Sequence, residues 1–255
     1  MSLRPHISLV LGQLVRKTNL VSLTFSTKAG TLANLQGKLH SARIVPLVYF
    51  SVGDWQDSRA DCLGRVQSEL GDVPLIVRSS CRREDGMDES NAGEFLSLPN
   101  VSEEELGDSI EQVIASYDSA GFGDEVLVQP MLRNVLRSGV AFSHDPNTCS
   151  PYRVVNWLEG EDTAAVTGGL GGSTWQQAVN SPVNPPDKLS GVLVLLDELL
   201  SLFGDAPVDC EFAVTNEGEN QVLWLLQARP LILPQNPESA SEQSERLQRI
   251  HDKVE

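Results

Sequence analysis

The chain has 255 residues, 40% of them hydrophobic, which is enough to bury one large core or two smaller ones. Its formal net charge of -16 would repel a phosphate backbone over most of the surface, which argues against general nucleic-acid binding. No apolar run reaches the roughly 20 residues of a membrane span, and the first residues resemble neither a signal peptide nor an anchor. The cysteines form no close pair, which disfavours a zinc site or disulfides and predicts free thiols in a reducing cytoplasm.

Helix-like and strand-like segments alternate along the chain, and this mixture predicts an α+β fold. In chain order we predict a helix at 28–39, a strand at 45–52, a helix at 57–70, a strand at 75–79, a helix at 102–119, strands at 125–132 and 152–157, a helix at 188–203, and strands at 209–215 and 222–229. A capping-box pattern, Ser102 followed by Glu105, marks the start of the third helix.

Two segments between these elements read as loops. Residues 180–187 are rich in Pro and Asn and predict a surface loop. The glycine-rich stretch 166–175, VTGGLGGSTW, superficially suggests a dinucleotide site, but no strand-turn-helix unit surrounds it and no acidic residue follows at the required spacing. We therefore interpret it as a loop near a functional site.

The C-terminal residues differ from the rest. Residues 233–243 have the composition of a linker, and a charged helix is predicted from residue 244 to 255. We expect the polypeptide to be a piece of a longer one, with docking of the helix on a partner as the alternative.

The segments VDCEFAV and VLWLLQARP, joined by the turn TNEGENQ, predict an antiparallel hairpin. Because side chains alternate along a strand, Asp209 and Glu211 share one face, as do Gln227 and Arg229. Hard oxygen ligands beside a guanidinium suit a magnesium nucleotide. The alternative interpretation is a solvated sheet face with a cross-strand salt bridge.

Several further motifs carry a family resemblance: PLIVRSSCRREDGMDESNAGEFLSLPNV at 74–101, VLVQPMLRNVLRSGVAFSHDP at 126–146, the hairpin strands with D-x-E and L-Q-A-R-P, and, more weakly, STKAGTLANL at 26–35. Together they cover most of residues 26–231. They resemble the nucleotide-binding domain of the pyruvate phosphate dikinase and phosphoenolpyruvate synthase family.

The resemblance implies an ATP-grasp fold, with the nucleotide in a cleft between two lobes. It places the N-terminal lobe with its lid loop at residues 1–125 and the C-terminal lobe at 126–232. Residues 233–255 then form a linker and the start of a helix toward a downstream region.

The resemblance also implies a site for ATP and magnesium. Lys28 would lie over the phosphates, with a surface lysine that opens a helix as the alternative. Arg78 and Ser79 would contact phosphate, and Gly93 would belong to the lid at 84–94. The adenine would lie against a hinge formed by Gln129, Met131 and Leu132. The remaining implied residues complete the site: Asp209, Glu211, Gln227 and Arg229, with Glu211 and Gln227 as metal ligands and with Arg78 and Arg229 as the catalytic pair.

The implied reaction passes a phosphoryl group from ATP to a histidine on a separate swivelling domain, which works with a phosphoenolpyruvate- or pyruvate-type domain of a longer chain. None of the four histidines of this chain lies in a Gly- and Ser-rich phosphohistidine context. Ser26 and Thr27 stand where the family has glycines, and residues 109–120 lack an expected arginine. These departures keep open a degenerate module that binds nucleotide or a partner without turnover. A ligase that forms an acyl phosphate is the least favoured alternative, and the final acceptor is open.

Overall fold

The computed structural model describes residues 22–81, 96–117, 121, 123–160, 172–234, 236 and 238–254. Its helices are α1 (Lys28–Leu35), α2 (Val52–Asp57), α3 (Arg59–Leu70), α4 (Leu106–Ala115), α5 (Asp187–Leu202) and α6 (Ala240–Val254). Its strands are β1 (Arg43–Ile44), β2 (Val48–Ser51), β3 (Leu75–Ser80), β4 (Ser97–Val101), β5 (Glu125–Pro130), β6 (Val135–Phe142), β7 (Tyr152–Glu159), β8 (Ser173–Ala178), β9 (Val208–Glu217) and β10 (Asn220–Pro230). The strands form two separate sheets, and the predicted α+β class is confirmed.

The larger sheet has six strands in the order β1-β10-β9-β6-β7-β8, and every pairing is antiparallel except that of β1 with β10. One of its faces packs against α1 and α5 through fully buried leucines, among them Leu32, Leu189 and Leu196. Because one face is covered in this way, the other face is available to carry polar groups.

Gly139 in β6 allows the strands of this sheet to lie closely together. A Cβ atom at this position would meet the carbonyl oxygen of Asn156 at 2.2 Å and the ring of Phe212 at 2.9 Å. The S-G-V motif therefore has a structural function here, since only glycine leaves room for both neighbours.

The smaller sheet has four strands in the order β2-β5-β3-β4. Its core is formed with the helices that follow β2 and β4, and includes Trp55, Val66, Val77 and Ile110. Because β5 begins at Glu125, this sheet contains residues on both sides of the lobe boundary predicted after residue 125. That boundary stays a prediction.

Several helices are shorter than predicted. α1 ends at Leu35 instead of residue 39, where Gln36 leaves the helical conformation and Gly37 has a φ of 73°. The helix predicted at 57–70 is α3, which begins at Arg59, and a second helix that was not predicted, α2, precedes it; Ser58 is extended and serves both as the last cap of α2 and as the first cap of α3. Ser58 accepts a hydrogen bond from the Asp61 amide, which favours a new start.

The predicted capping box also lies before its helix. The Ser102 hydroxyl does donate to the Glu105 carboxylate, at 3.0 Å, but α4 begins only at Leu106. The Leu106 amide donates to the Glu103 carbonyl, so Glu105 lies in a turn that Ser102 precedes, and the motif marks this turn and not the first turn of the helix.

β8 was not predicted from the sequence, because residues 166–175 were interpreted as a loop. The strand starts at Ser173 and forms the edge of the larger sheet, pairing with β7. Its side chains are half-buried or exposed, so it lacks the apolar alternation that identifies most strands. Residues 166–171 of that predicted loop lie outside the described residues.

The cysteines are as expected. All four cysteines are free and buried. Among the residues that the structure describes, no helix combines the length and the apolar character needed to cross a membrane.

Candidate functional site

The predicted C-terminal hairpin is present as β9 and β10. Glu211 lies opposite Gln227, and Asp209 lies opposite Arg229. The residues between these positions, one on each strand, belong to the buried core of the larger sheet. By alternation the four polar side chains therefore project from the opposite face, where they form one patch.

A β-bulge in β10 determines which face these side chains take. Leu225 lies opposite Phe212, both of them in the core, and the next paired residue is Gln227 opposite Glu211. Leu226 is therefore an extra residue without a counterpart on β9. In a regular strand with the same sequence, strict alternation would place Gln227 on the same face as Leu225, so the bulge at Leu226 turns the polar residues out of the core.

Asp209 and Arg229 form a largely buried ion pair. Arg229 donates to Oδ2 of Asp209 through Nε at 3.0 Å and through a terminal nitrogen at 2.9 Å. The pKa of Asp209 is raised to about 6, chiefly by burial and to a lesser extent by the nearby Glu211 carboxylate, while Arg229 lowers it and limits the shift. The Asp209 carboxylate is thus largely removed from water, and a further cation placed beside it would favour its charged form.

Arg78 connects the two sheets. It lies on β3 of the smaller sheet, and one terminal nitrogen donates to the Glu211 carboxylate at 3.4 Å while the other donates to the Leu226 carbonyl at 3.2 Å. The bulge residue thus supplies an acceptor to the other sheet. Within the described residues, Nε of Arg78 is buried and has no hydrogen-bond partner, so this side chain retains a donor.

Lys28 is the first residue of α1 and is only 4% exposed. Its ammonium group donates to the carbonyl of Ser79 at 3.4 Å, next to Arg78 on β3. The helix that carries it packs against the larger sheet through Ala29 and Leu32, whereas its ammonium group contacts the smaller one. Because Ser79 directly follows Arg78, this contact brings Lys28 close to the region in which Arg78 meets the hairpin.

Ser79 itself faces away from Arg78. It alternates with Val77 and Cys81, which lie in the core of the smaller sheet, and it is fully buried. Ser79 thus presents its carbonyl oxygen toward Lys28, while its hydroxyl points into the core side of the sheet. On the Arg78 side the neighbouring hydroxyl is that of Ser80.

The residues predicted to hold adenine lie at and beyond the end of β5. Gln129 is buried and donates through its side-chain amide to the Val45 carbonyl at 3.3 Å. The backbone amide of Met131 donates to the Pro74 carbonyl at 2.8 Å. Both polar groups are therefore engaged by backbone carbonyls that precede strands of the smaller sheet, and what this segment offers to a ligand is the half-buried side chains of Met131 and Leu132.

Gly93, with the whole predicted lid, lies outside the described residues. In the described ranges no group of three or more His, Cys, Asp or Glu side chains could hold a metal ion. Glu211 with the Gln227 amide, and Asp209 beside them, supply oxygen donors that fit magnesium only if phosphate oxygens and water complete the shell, as is common for that ion.

A cavity of about 320 Å³ lies elsewhere, between α3, the start of β3 and the start of α4. Its polar lining includes Gln67 and Glu103, which bond to each other at 2.8 Å. It contains none of the predicted site residues, so the candidate site rests on the convergence of charged groups and not on this cavity.

Sequence reasoning did not single out Glu125. Its carboxylate accepts hydrogen bonds from the hydroxyls of Thr27 and Ser80, at the start of α1 and the end of β3. An acidic residue that opens a strand looks like an ordinary surface position, and no local signal indicated that two other elements meet it. Thr27 was noted only because it replaces a glycine, yet it caps α1 by accepting from the Gly30 amide.

The chain matches no family model and no curated protein. Among solved structures it is similar to a D-alanine-D-alanine ligase from Helicobacter pylori, with 17% identity, a TM-score of 0.44, and coverage of 80% of this chain and 54% of the ligase. PH1788 from Pyrococcus horikoshii gives 18% identity and a TM-score of 0.47, with coverage of 81% and 90%. The biotin carboxylase domain of the 2-oxoglutarate carboxylase from Hydrogenobacter thermophilus, solved with MgADP and bicarbonate, gives 15% identity and a TM-score of 0.47, with coverage of 82% and 40%.

The chain thus spans about half or less of the ligase and of the carboxylase domain. At these identities and TM-scores the similarities assign neither a family nor an activity to it. None of the three proteins is named as a dikinase, so the dikinase resemblance stays a prediction.

Proposed function

We propose that this chain is the magnesium-ATP-binding domain of an ATP-grasp phosphotransferase of the pyruvate phosphate dikinase and phosphoenolpyruvate synthase type. The observation that carries the proposal is Arg78, which reaches from the smaller sheet to Glu211 and to the bulge of the hairpin in the larger sheet. Groups suited to phosphate and to magnesium therefore meet where the two sheets approach each other.

The charges at this place suit a metal nucleotide. Lys28, Arg78 and Arg229 supply three cations, and Asp209 and Glu211 supply two carboxylates. A guanidinium group presents a planar fork of donors to phosphate oxygens, and the lysine acts as a point charge. Magnesium balances the acids by binding Glu211 and Gln227 on one side and phosphate oxygens on the other. Met131 and Leu132 line the adenine.

In this proposal the domain positions ATP and neutralises its phosphates while a phosphoryl group passes to a histidine on a separate swivelling domain. The acceptor and the phosphoenolpyruvate- or pyruvate-type domain belong to other parts of a longer protein. A cytoplasmic location agrees with the four free cysteines.

A module without turnover is the second candidate. Its support is that the cationic groups already have protein partners: Arg229 holds Asp209, and Arg78 holds Glu211. Ser26 and Thr27 in place of glycines, and the absence of an arginine from residues 109–120, add to it. A domain of this kind binds nucleotide or a partner and transfers nothing.

The test is magnesium-ATP binding, measured by calorimetry and by thermal unfolding with and without a chelator. A ligand at one hundred times its dissociation constant stabilises the folded state by about 2.7 kcal/mol. Arg78→Ala should abolish this gain, whereas Arg65→Ala, an exposed arginine on α3 of the same half, should retain it. Absence of magnesium-ATP binding by the unmodified protein contradicts the proposal.

A second experiment separates the two candidates. Radiolabelled ATP is supplied together with the isolated phosphohistidine domain of a known dikinase. Label on the histidine supports phosphoryl transfer, and binding without transfer supports the module without turnover.

A further inference from the structure

Glu125 is not one of the proposed site residues, but it lies where α1, β3 and β5 meet. It is the first residue of β5, and its carboxylate accepts from the hydroxyl of Thr27, which caps α1, and from the hydroxyl of Ser80 at 3.3 Å. Ser80 in turn accepts from the Ala29 amide at 2.9 Å. One carboxylate thus links the first turn of α1 to the end of β3.

The backbone of Glu125 extends the same network. The Tyr117 hydroxyl, just beyond α4, donates to the Glu125 carbonyl and accepts from the Ser80 amide at 3.2 Å. Glu125 therefore holds the end of β3 in two ways: its carboxylate accepts from the Ser80 hydroxyl, and its carbonyl is linked to the Ser80 amide through Tyr117. Every group in the network is fully or partly buried, so these hydrogen bonds are shielded from competition by water.

The two residues that the network surrounds are those with phosphate-binding chemistry. Lys28 lies between Thr27 and Ala29, and Arg78 lies two residues before Ser80. The Lys28 ammonium group also donates to the carbonyl of Ser79, inside the same short segment. A negative charge near the start of α1 further favours the orientation of that helix, because the N-terminal end of a helix carries partial positive charge.

We infer that Glu125 is a positioning residue, which holds Lys28 of α1 at a set place relative to Arg78 of β3 by joining Thr27 to Ser80. The functional meaning of this role rests on the proposed nucleotide site. The geometry that it predicts can be measured without any nucleotide.

The first test measures the reaction rate of the Lys28 amine with an amine-selective acylating reagent, by mass spectrometry, in the protein without ligand. Glu125→Ala should raise this rate about tenfold, which corresponds to ~1.4 kcal/mol of easier local opening. Glu125→Gln should recover most of the protection, because its amide oxygen still accepts hydrogen bonds from both hydroxyls.

Glu111→Ala is the matched control. Glu111 is also a half-buried glutamate with two partners in the same half of the molecule, Trp55 and Arg59, but it lies away from α1. It should lower the free energy of unfolding by an amount similar to Glu125→Ala and leave the Lys28 rate unchanged. Equal acylation rates in Glu125→Ala and in the unmodified protein would overturn the inference, whatever the protein does with nucleotide.

The second test is a double-mutant cycle on magnesium-ATP affinity. Glu125→Ala should weaken binding about tenfold in the unmodified background and much less in a Lys28→Ala background, because its effect passes through Lys28. Equal losses in both backgrounds contradict the positioning role. If the unmodified protein fails to bind magnesium-ATP while Lys28 acylation responds to Glu125 as expected, the proposed function fails and the positioning role stands.

Discussion

In the larger sheet the candidate side chains occupy paired positions on two adjacent strands, whereas on the other side Arg78 comes from a strand of the smaller sheet and Lys28 from the tip of a helix. The hairpin residues are placed by the register of a single antiparallel pair. Arg78 and Lys28 are placed by contacts between residues 51 or more positions apart in the chain. The hairpin half of the site is thus set by local strand pairing, and the other half is set by tertiary contacts.

This difference predicts which kind of substitution affects which property. Changes within the hairpin should alter both stability and ligand binding, because the ion pair there is buried. Changes that affect only the contacts between the sheets should alter binding and leave stability nearly as it was.

Arg229→Ala should have the largest effect. It leaves the buried Asp209 carboxylate without its partner, and removal of one member of a buried pair costs about 3 kcal/mol or more in the free energy of unfolding. Urea unfolding at pH 8 should show this loss, together with loss of magnesium-ATP binding. At pH 5 the loss should be smaller, because Asp209 is then mostly neutral in the folded protein.

Arg43→Ala is the control for that substitution, since Arg43 forms an exposed pair with Glu217 on the same sheet. Its effect should stay below about 1 kcal/mol. Similar losses of unfolding free energy for Arg229→Ala and Arg43→Ala would show that burial adds nothing to the cost of breaking the Asp209–Arg229 pair.

The pH dependence of stability should identify Asp209 in the metal-free protein. Its pKa is about 6 in the folded state and near 3.8 when unperturbed, so between these values the folded state binds more protons than the unfolded chain. The free energy of unfolding should therefore fall by on the order of 2 kcal/mol as the pH rises from about 4 to about 6. The charged groups facing Asp209 are Arg229 and Glu211.

Asp209→Asn should remove this component of the pH profile. Asp197→Asn should leave the profile unchanged, because Asp197 is exposed in its pair with Arg153. An unaltered profile in Asp209→Asn would contradict the raised pKa that burial gives to Asp209.

Deletion of Leu226 should have the smallest effect on stability and a selective effect on binding. The deletion converts the bulge to regular pairing and keeps Gln227 opposite Glu211, but it removes the carbonyl that accepts from Arg78. Magnesium-ATP affinity, measured by calorimetry, should weaken by about 1–2 kcal/mol, the size expected for a hydrogen bond to a charged group. Leu226→Ala keeps the carbonyl and should bind magnesium-ATP as the unmodified protein does. Equal affinities for the unmodified protein, the deletion variant and Leu226→Ala would show that the Arg78 contact with this carbonyl contributes nothing to binding.

The same contrast explains what the sequence could predict. The hairpin was recognisable because its alternation and its turn are local, and the shared faces of Asp209 with Glu211 and of Gln227 with Arg229 agree with the observed register. The bulge was not recognisable: Leu226 is one apolar residue in an apolar run, and the register shift is caused by pairing with β9. The short helix α2 was not predicted because it directly follows β2, and Val52, its first residue, continues the apolar run of that strand.

The contacts between the sheets lie beyond such reasoning. That Arg78 belongs to the site was expected from resemblance alone, and its acceptors, Glu211 and the Leu226 carbonyl, are 133 and 148 positions away. Ser79 shows the limit in the other direction. Its position beside Arg78 suggested a shared role, but alternation along β3 puts its hydroxyl on the opposite face.

The ion pairs within the hairpin and between the sheets have a consequence for discrimination. A site in which each guanidinium already pairs with a carboxylate offers little to a bare anion, which would have to separate an arginine from its partner and leave a poorly hydrated carboxylate without a counter-charge. A ligand that arrives with its own divalent ion supplies a new partner for each group it displaces. We therefore expect the proposed site to favour the metal complex over the free polyphosphate before any chemistry begins.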